Sequence, residues 1–392
     1  MQAAVRMRIF LFFLSLIIIP LTTYFVILFA KGYRPSLNQV TLKPTGILVL
    51  TSYPDGAQTF INGILKAATN STVNLDPGSY EIEIKKEGFF PWKKQLLIEK
   101  EIVTRATATL FPTIPILKAT TSQGITHPLL SPSGDKTAFI QTVDKIMYLT
   151  ILEMGESPLG LISREPRNVA KLPITKAANY RLLWSSDSRE VLAVASSSAT
   201  LVNIYTQQVS EASISYPTLL SDWQNHDTVS KKQLFDTLPY TLAPVLATAA
   251  ADLSWSPNEK KLLYTATASA SLPDQIKKPL PGSSSQPQNR TLSPGSVYIF
   301  DLEEDRNFQI DQITSISNNG WLWFPSSSHV YKVVKDMVVI KEYDNGNETV
   351  IYAGPLFENF AVPYPSGKQF LILTNPTPNL SPLPNLYSIN LR

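Results

Sequence analysis

Apolar positions along this chain fall into two regimes. Ile9 to Ala30 form one run without a charge, whereas from Gly46 onward short apolar runs alternate with polar positions and stop at turn residues. About 20 residues at a rise of roughly 1.5 Å cross the ~30 Å hydrocarbon core of a bilayer, so the first regime predicts a transmembrane helix over 9–30. Pro20 is tolerated there with a kink, because lipid offers the backbone no competing partner. Arg6 and Arg8 precede the run and Lys31 and Arg34 follow it, a weak bias. The short arm, residues 1–8, favours the cytoplasm and places the rest outside, after a linker at 31–43. A cleaved signal peptide is the rival reading. It calls for a shorter apolar region and small residues before the cut, and Leu28 is bulky, so an uncleaved anchor is expected.

The second regime predicts strands. Gly46 to Ser52 enter the turn Tyr53-Pro54-Asp55-Gly56, and Ala57 to Ile61 run into Asn62-Gly63, whose readiness for positive φ favours a type I′ hairpin. Tyr80, Ile82 and Ile84 alternate with Glu81 and Glu83, the signature of a half-buried sheet. Gln95 to Ile98 and Ile102 to Thr104 bring the count to about six strands.

These blocks, Pro54-Asp55-Gly56-Ala57, Phe60-Ile61-Asn62-Gly63, Leu75 to Tyr80 and Lys86 to Trp92, resemble the PEGA domain family, with Asp55 in place of its glutamate. The resemblance covers residues 44–112 and implies a small β-sandwich, found on prokaryotic surfaces and thought to act in adhesion or as a spacer. Turn chemistry alone explains the motif, since Pro54 presets φ and Gly56 supplies the conformation that follows. Phe89, Phe90 and Trp92 are candidate surface aromatics for sugar stacking. The same cluster closes the core of a domain this small under the plainer reading.

From residue 113 a phrase recurs: an apolar strand, a serine-rich turn, a basic residue and a second apolar strand. It stands at Leu129 to Ile140, Leu183 to Leu192 and Leu253 to Tyr264, with weaker copies at Trp323 to Tyr331 and Val362 to Ile372. A second strand pair follows most copies. Four strands per repeat is the pattern of a β-propeller, with five blades in view and room for a sixth. The phrase resembles TolB-like and WD40-like propellers, which implies a fold over 113–392 and almost nothing about function. Closure would pair Ile116 to Ala119 with the blade holding Asn385 to Ile389, since an open ring exposes strand edges. Three insertions interrupt the repeats. Met154 to Thr175 is expected as a surface loop, Thr228 to Ala251 as helical with Ser230 as its cap, and Ser271 to Gly295, rich in proline and serine, as disordered.

Composition narrows the chemistry. Cysteine is absent among the 392 residues, which removes disulfides, thiolate nucleophiles, lipoprotein acylation and sulfur-based zinc sites. The first 34 residues hold four of the 34 basic groups and no acid, leaving 30 against 31 acidic groups, so no nucleic-acid footprint remains. His127, His226 and His329 are the only imidazoles. His226 lies beside Asp222 and Asp227 in a polar segment, but there is no Gly-x-Ser-x-Gly elbow to answer them. Asp344 to Glu348 is read as an Asn-Gly turn rather than a calcium loop, and Glu303 to Asp305 as a solvated turn. Trp321 and Trp323 alternate and are read as blade core.

The sequence thus predicts an all-β protein behind one helix, with no catalytic residues, cofactor or metal. Its expected partners are the membrane, through Ile9 to Ala30, and envelope proteins or glycans. A hydrolase or peptidase scaffold, and a sensor or assembly subunit of a membrane complex, are the alternatives.

Overall fold

The computed structural model describes residues 2–31, 33–35, 42–155, 165–173, 180–195, 198–278, 280–313, 320–376 and 383–391. They fall into two compact units. One comprises Met1–Leu110 with Lys278–Gln286, the other Phe111–Lys277 with Pro287–Arg392.

In the first unit, helix α1 (Gln2–Ala30) continues through Pro20. It is the one helix among the described residues long and apolar enough to cross a membrane, by length and composition, over Phe10–Ala30. Lys31 and Tyr33, just beyond it, reach Glu101, at 3.7 and 2.8 Å. Seven strands then form a sandwich. Gly46–Tyr53 lies between Ser71–Leu75 and Val103–Thr109 in one sheet, and the second runs in the order Ile64–Ala68, Gln58–Ile61, Gly78–Lys85, Trp92–Ile98. Alternation decides what is buried between them: Leu48 and Leu50 from one sheet meet Ile82, Ile84, Trp92 and Leu96 from the other. Glu83, on the opposite face from Ile82 and Ile84, is paired with Lys85 and Lys93. Gly46–Tyr53 pairs with Val103–Thr109 in parallel, a long-range pairing that no local turn signal announces.

The second unit holds five four-stranded antiparallel sheets. Blade 1 begins at Ile125–Leu130, blade 2 at Arg181–Trp184, blade 3 at Ala250–Trp255, blade 4 at Trp321–Trp323 and blade 5 at Ala361–Pro363. The repeat phrase makes the same turn in all five. Ser131, Ser185, Ser256, Phe324 and Tyr364 each donate their N–H to the carbonyl five residues on. The fourth residue of each turn, Gly134, Ser188, Glu259, Ser327 and Gly367, has φ between 58° and 73°. Serine suits the first position because its hydroxyl accepts from the chain returning into the second strand, as Ser131 does from Lys136 N at 3.1 Å and Ser256 from Lys261 N at 2.9 Å.

Closure follows the expected pairing. Leu117, Lys118 and Ala119 pair with Ile389, Ser388 and Tyr387, so the fourth strand of blade 5 comes from the start of the unit. A shared apolar cluster joins blades 5 and 1 through Phe139, Leu371, Leu373 and Leu386, another joins blades 1 and 2, and another blades 3 and 4. Phe324 of blade 4 stacks on Phe370 of blade 5.

Three expectations are corrected. The 271–295 segment is held in place: Ala270–Ser271 pairs with Thr291–Leu292, and Arg290 bonds Pro273 O, Asp305 O and Asp305 Oδ1. Leu272 and Leu292 are buried in the blade 3 cluster. A proline-rich polar composition predicts disorder only when backbone groups find no partner, and here polar side chains supply them. Its tip, Lys278–Gln286, belongs to the first unit, where Ser285 Oγ donates to Gln95 O. Gly282 there has φ +83°, and a Cβ on it would stand 3.0 Å from Arg105 O. The helical insertion begins earlier than expected. Helix α2 spans Tyr216–Asp236, so Ser230 is interior and Ser215 is the cap position; a shorter helix α3, Ala243–Ala249, follows. Part of the expected 154–175 loop, Arg167–Lys171, is the fourth strand of blade 1, while 156–164 and 174–175 lie outside the described residues.

Candidate functional site

The sites named from sequence resolve mainly into structure. At Pro54 to Ala57, Gly56 has φ +67°, Gly56 N donates to Thr69 O, Ala57 N donates to Thr69 Oγ1, and Lys86 Nζ donates to Asp55 O. The motif builds a turn whose Ala57 is fully buried. Trp92, proposed as a surface aromatic, is instead in the core at 3% exposure, and Phe89 packs against that core, leaving Phe90 half-buried. A domain this small draws its largest apolar groups inward. Asp222, His226 and Asp227 lie exposed on α2 rather than in a loop. His329 is buried against Phe111 and Phe324. In the Asp344 to Glu348 turn, Asn345 has φ +69°, and Lys341 Nζ reaches both Asn345 Oδ1 at 2.9 Å and Glu348 at 3.2 Å. A lysine therefore occupies oxygens that a calcium ion would need. Glu303 and Glu304 donate their N–H groups to Asp301 Oδ1, and Asp305 holds Arg290, so that turn is a built corner. Among the described residues no group of three or more His, Asp or Glu could hold a metal ion.

Another set emerges once the five turns are aligned. The fourth strands Val209–Glu211 and Leu117–Ala119 are exposed throughout and mark the outer rim, which puts the first strands around the axis. Four residues before each turn stand His127, Arg181, Asp252, Gly320 and Phe360. Arg181 and Asp252 are exposed, and the His127 side chain is 29% exposed. Blades 1 and 3 carry the same bulge here. Two residues, His127-Pro128 or Asp252-Leu253, oppose one on the neighbouring strand, with φ of +55° at His127 and +53° at Asp252. Such bulges re-aim a side chain, and non-glycine residues held at positive φ are concentrated at functional sites. Glu358, itself at φ +52°, accepts from His127 N at 3.1 Å, and its second oxygen lies 4.0 Å from His127 Nδ1.

Strand direction places these residues at the end opposite the repeated turns. Both large described insertions leave from that same end: α2 and α3 connect blades 2 and 3, and 267–295 joins the second and third strands of blade 3. Insertions gathered on one face of a repeat protein mark its binding face in many such folds. Sequence reading passed over Arg181, Asp252 and Glu358, although Arg181 and Asp252 share one offset from the turn serine.

Comparison with known proteins follows the same division. Residues 45–114 match the PEGA domain family, against the expected 44–112. The chain matches no curated protein. Among solved structures, TolB from Acinetobacter baumannii is similar at 13% identity and a TM-score of 0.25, over 80% of this chain and 59% of that one. An oligogalacturonate lyase from Vibrio parahaemolyticus is similar at 9% identity and a TM-score of 0.31, over 71% of this chain and 94% of that one. Scores this low carry no argument, so the propeller rests on the chain's own five sheets. Among its described residues the protein is thus an all-β chain joining an N-terminal apolar helix, a sandwich that matches the PEGA domain family over residues 45–114 and a five-bladed propeller.

Proposed function

We propose that this chain is a non-catalytic, membrane-anchored recognition protein of the cell envelope. Helix α1 stays in the bilayer with the N-terminal arm in the cytoplasm, and the PEGA domain and propeller work outside it, binding protein or glycan. The observation that carries the reading is the set of polar inner-strand positions His127, Arg181 and Asp252, the first and last of them at bulges, at the end of the propeller from which both insertions leave. An exposed cation beside exposed acids suits recognition by charge complementarity. Binding without chemistry is favoured by where the polar groups stand, with Asp222, His226 and Asp227 exposed on a helix face and His329 in the core.

A photo-crosslinking amino acid at Arg181, compared with one at Asp187 in the turn at the other end of the same strand, tests the assignment in intact cells. Adducts with envelope components from position 181 and none from 187 are expected. Equal yields, or adducts from 187 alone, would remove this face as the binding surface.

A further inference from the structure

The five seams of the propeller are not alike. At the seam between blades 1 and 2, Trp184 Nε1 donates to Leu129 O at 3.1 Å and Ser133 N donates to Ser188 Oγ at 3.0 Å. The seam between blades 3 and 4 repeats both bonds at equivalent positions, Trp323 Nε1 to Ser254 O at 2.9 Å and Asn258 N to Ser327 Oγ at 3.1 Å. Each of these seams also places a lysine of one blade over a tyrosine of the next, Lys136 over Tyr205 and Lys261 over Tyr343.

Between blades 2 and 3 the pattern stops. Trp255 holds the tryptophan position, but its Nε1 is buried without an acceptor. Glu259 stands where Ser188 and Ser327 offer a hydroxyl, and Glu190 where the lysines stand. Helices α2 and α3 enter here instead. Tyr216, Leu219, Leu220 and Trp223 pack on blade 2, and Leu238, Leu242 and Leu246 pack on blade 3. A buried indole N–H with no partner is rare and costly, and a ligand acceptor is one way to satisfy it. At the inner end of this seam Arg181 is exposed on blade 2, and Asp252 and Ser254 are exposed on blade 3.

We infer that the inner end of the seam between blades 2 and 3 binds a peptide segment of a partner protein that carries an acidic and a basic side chain. Arg181 takes the carboxylate and Asp252 takes the cation, and the seam parts at Trp255 on binding so that its Nε1, closed off in the free protein, donates to a peptide carbonyl. The inference rests on the recognition reading above. A peptide fits better than a glycan because the inner-strand aromatics offer no open flat face: Trp184 and Trp321 are buried, and Trp255 and Trp323 are packed into blade clusters.

The test uses the full chain in nanodiscs. A phage-displayed library of random peptides is selected on it, and selected peptides are measured by fluorescence anisotropy against wild type, Trp255→Phe, Trp184→Phe and the double variant Arg181→Ala/Asp252→Ala. Selected peptides should carry both charges. Trp255→Phe should weaken them about tenfold, the value of one lost hydrogen bond in a dry site, with no fall in melting temperature. Trp184→Phe, which breaks a bond already made, should lower the melting temperature and leave affinity alone. Peptides held equally well by Trp255→Phe and by the double variant would overturn the inference. Binding on a glycan array that the double variant abolishes, with no peptide selected, would overturn it and leave the recognition reading standing. Failure of both probes together with silent cross-linking at position 181 would end both.

Discussion

One side-chain amide reinforces the closure of the ring. Asn385 opens the third strand of blade 5 at 9% exposure, and its Oδ1 accepts from Thr121 Oγ1 at 3.0 Å and Gly124 N at 2.9 Å. Thr121 Oγ1 in turn accepts from Leu386 N at 2.9 Å. The bonds therefore tie the first turn of the propeller to its last strand, some 260 residues away. Asn385→Ala removes the acceptor from two donors. One net bond is worth about 1 kcal/mol, and a stranded buried N–H costs about 1–3 kcal/mol more, for a total of roughly 3 kcal/mol. At 2–4 °C per kcal/mol for a domain of this size, melting should fall by about 6–12 °C. Asn385→Asp keeps the accepting oxygens at the cost of a buried charge, so it should melt between alanine and wild type. Tryptophan fluorescence reads the transition cleanly, since five of the six tryptophans lie in the propeller unit and only Trp92 in the other. An alanine variant within 2 °C of wild type on the same ~3 kcal/mol reasoning, or an aspartate variant no better than alanine, would refute the argument.

Three further outcomes follow from the geometry. Gly63 has φ +76° with open space around an added Cβ, so Gly63→Val should cost about 1 kcal/mol or more from backbone strain alone, read from the Trp92 transition in denaturant. Burial pushes the Asp311 carboxyl up, but bonds from Trp321 Nε1 at 2.7 Å and Lys332 Nζ at 3.0 Å outweigh it and hold it below the ordinary range. A lowered folded pKa gives stability that is present above the unfolded value of about 4 and lost as pH falls through the folded one. The stability gap between wild type and Asp311→Asn should therefore be widest near neutrality and close in acid, and a gap that widens in acid would contradict the pairing. Arg290→Ala, which frees Pro273 O and both Asp305 acceptors, should speed protease cleavage within 273–290 severalfold while the blades stay folded.

Local chemistry that repeats was the part most open to reading. The five turn phrases, the Asn62-Gly63 hairpin and the pairing of Leu117 to Ala119 with the last blade all rest on residues whose conformational demands are local or on a ring's need to bury its edges. The first turns of helix α2 were legible but missed, since Tyr216, Leu219, Leu220 and Trp223 keep the i, i+3, i+4, i+7 spacing of a helix face and Pro217 suits its first turn. The 271–295 segment misled because composition describes a chain without partners, and Arg290, Gln275 and Asn289 find theirs at Asp305, Glu304 and Asn307, outside the segment. The parallel pairing of Gly46–Tyr53 with Val103–Thr109 has no local signature at all. Of the inner-strand set, His127 was noted only as one of three histidines, and Arg181 and Asp252 gained meaning once the turns were put in register.

The absence of cysteine makes the topology directly measurable, because any thiol introduced is the only one present. Single cysteines at Gln2 and at the exposed Asp187 of the propeller, treated with a membrane-impermeant maleimide on intact cells, test whether the chain is anchored with its propeller outside. The account predicts that Asp187→Cys labels at once, that Gln2→Cys labels only after lysis, and that both remain full length in the membrane fraction. Labelling of Gln2→Cys alone on intact cells, or a labelled Asp187→Cys product that has lost its N-terminus and left the membrane, would contradict it.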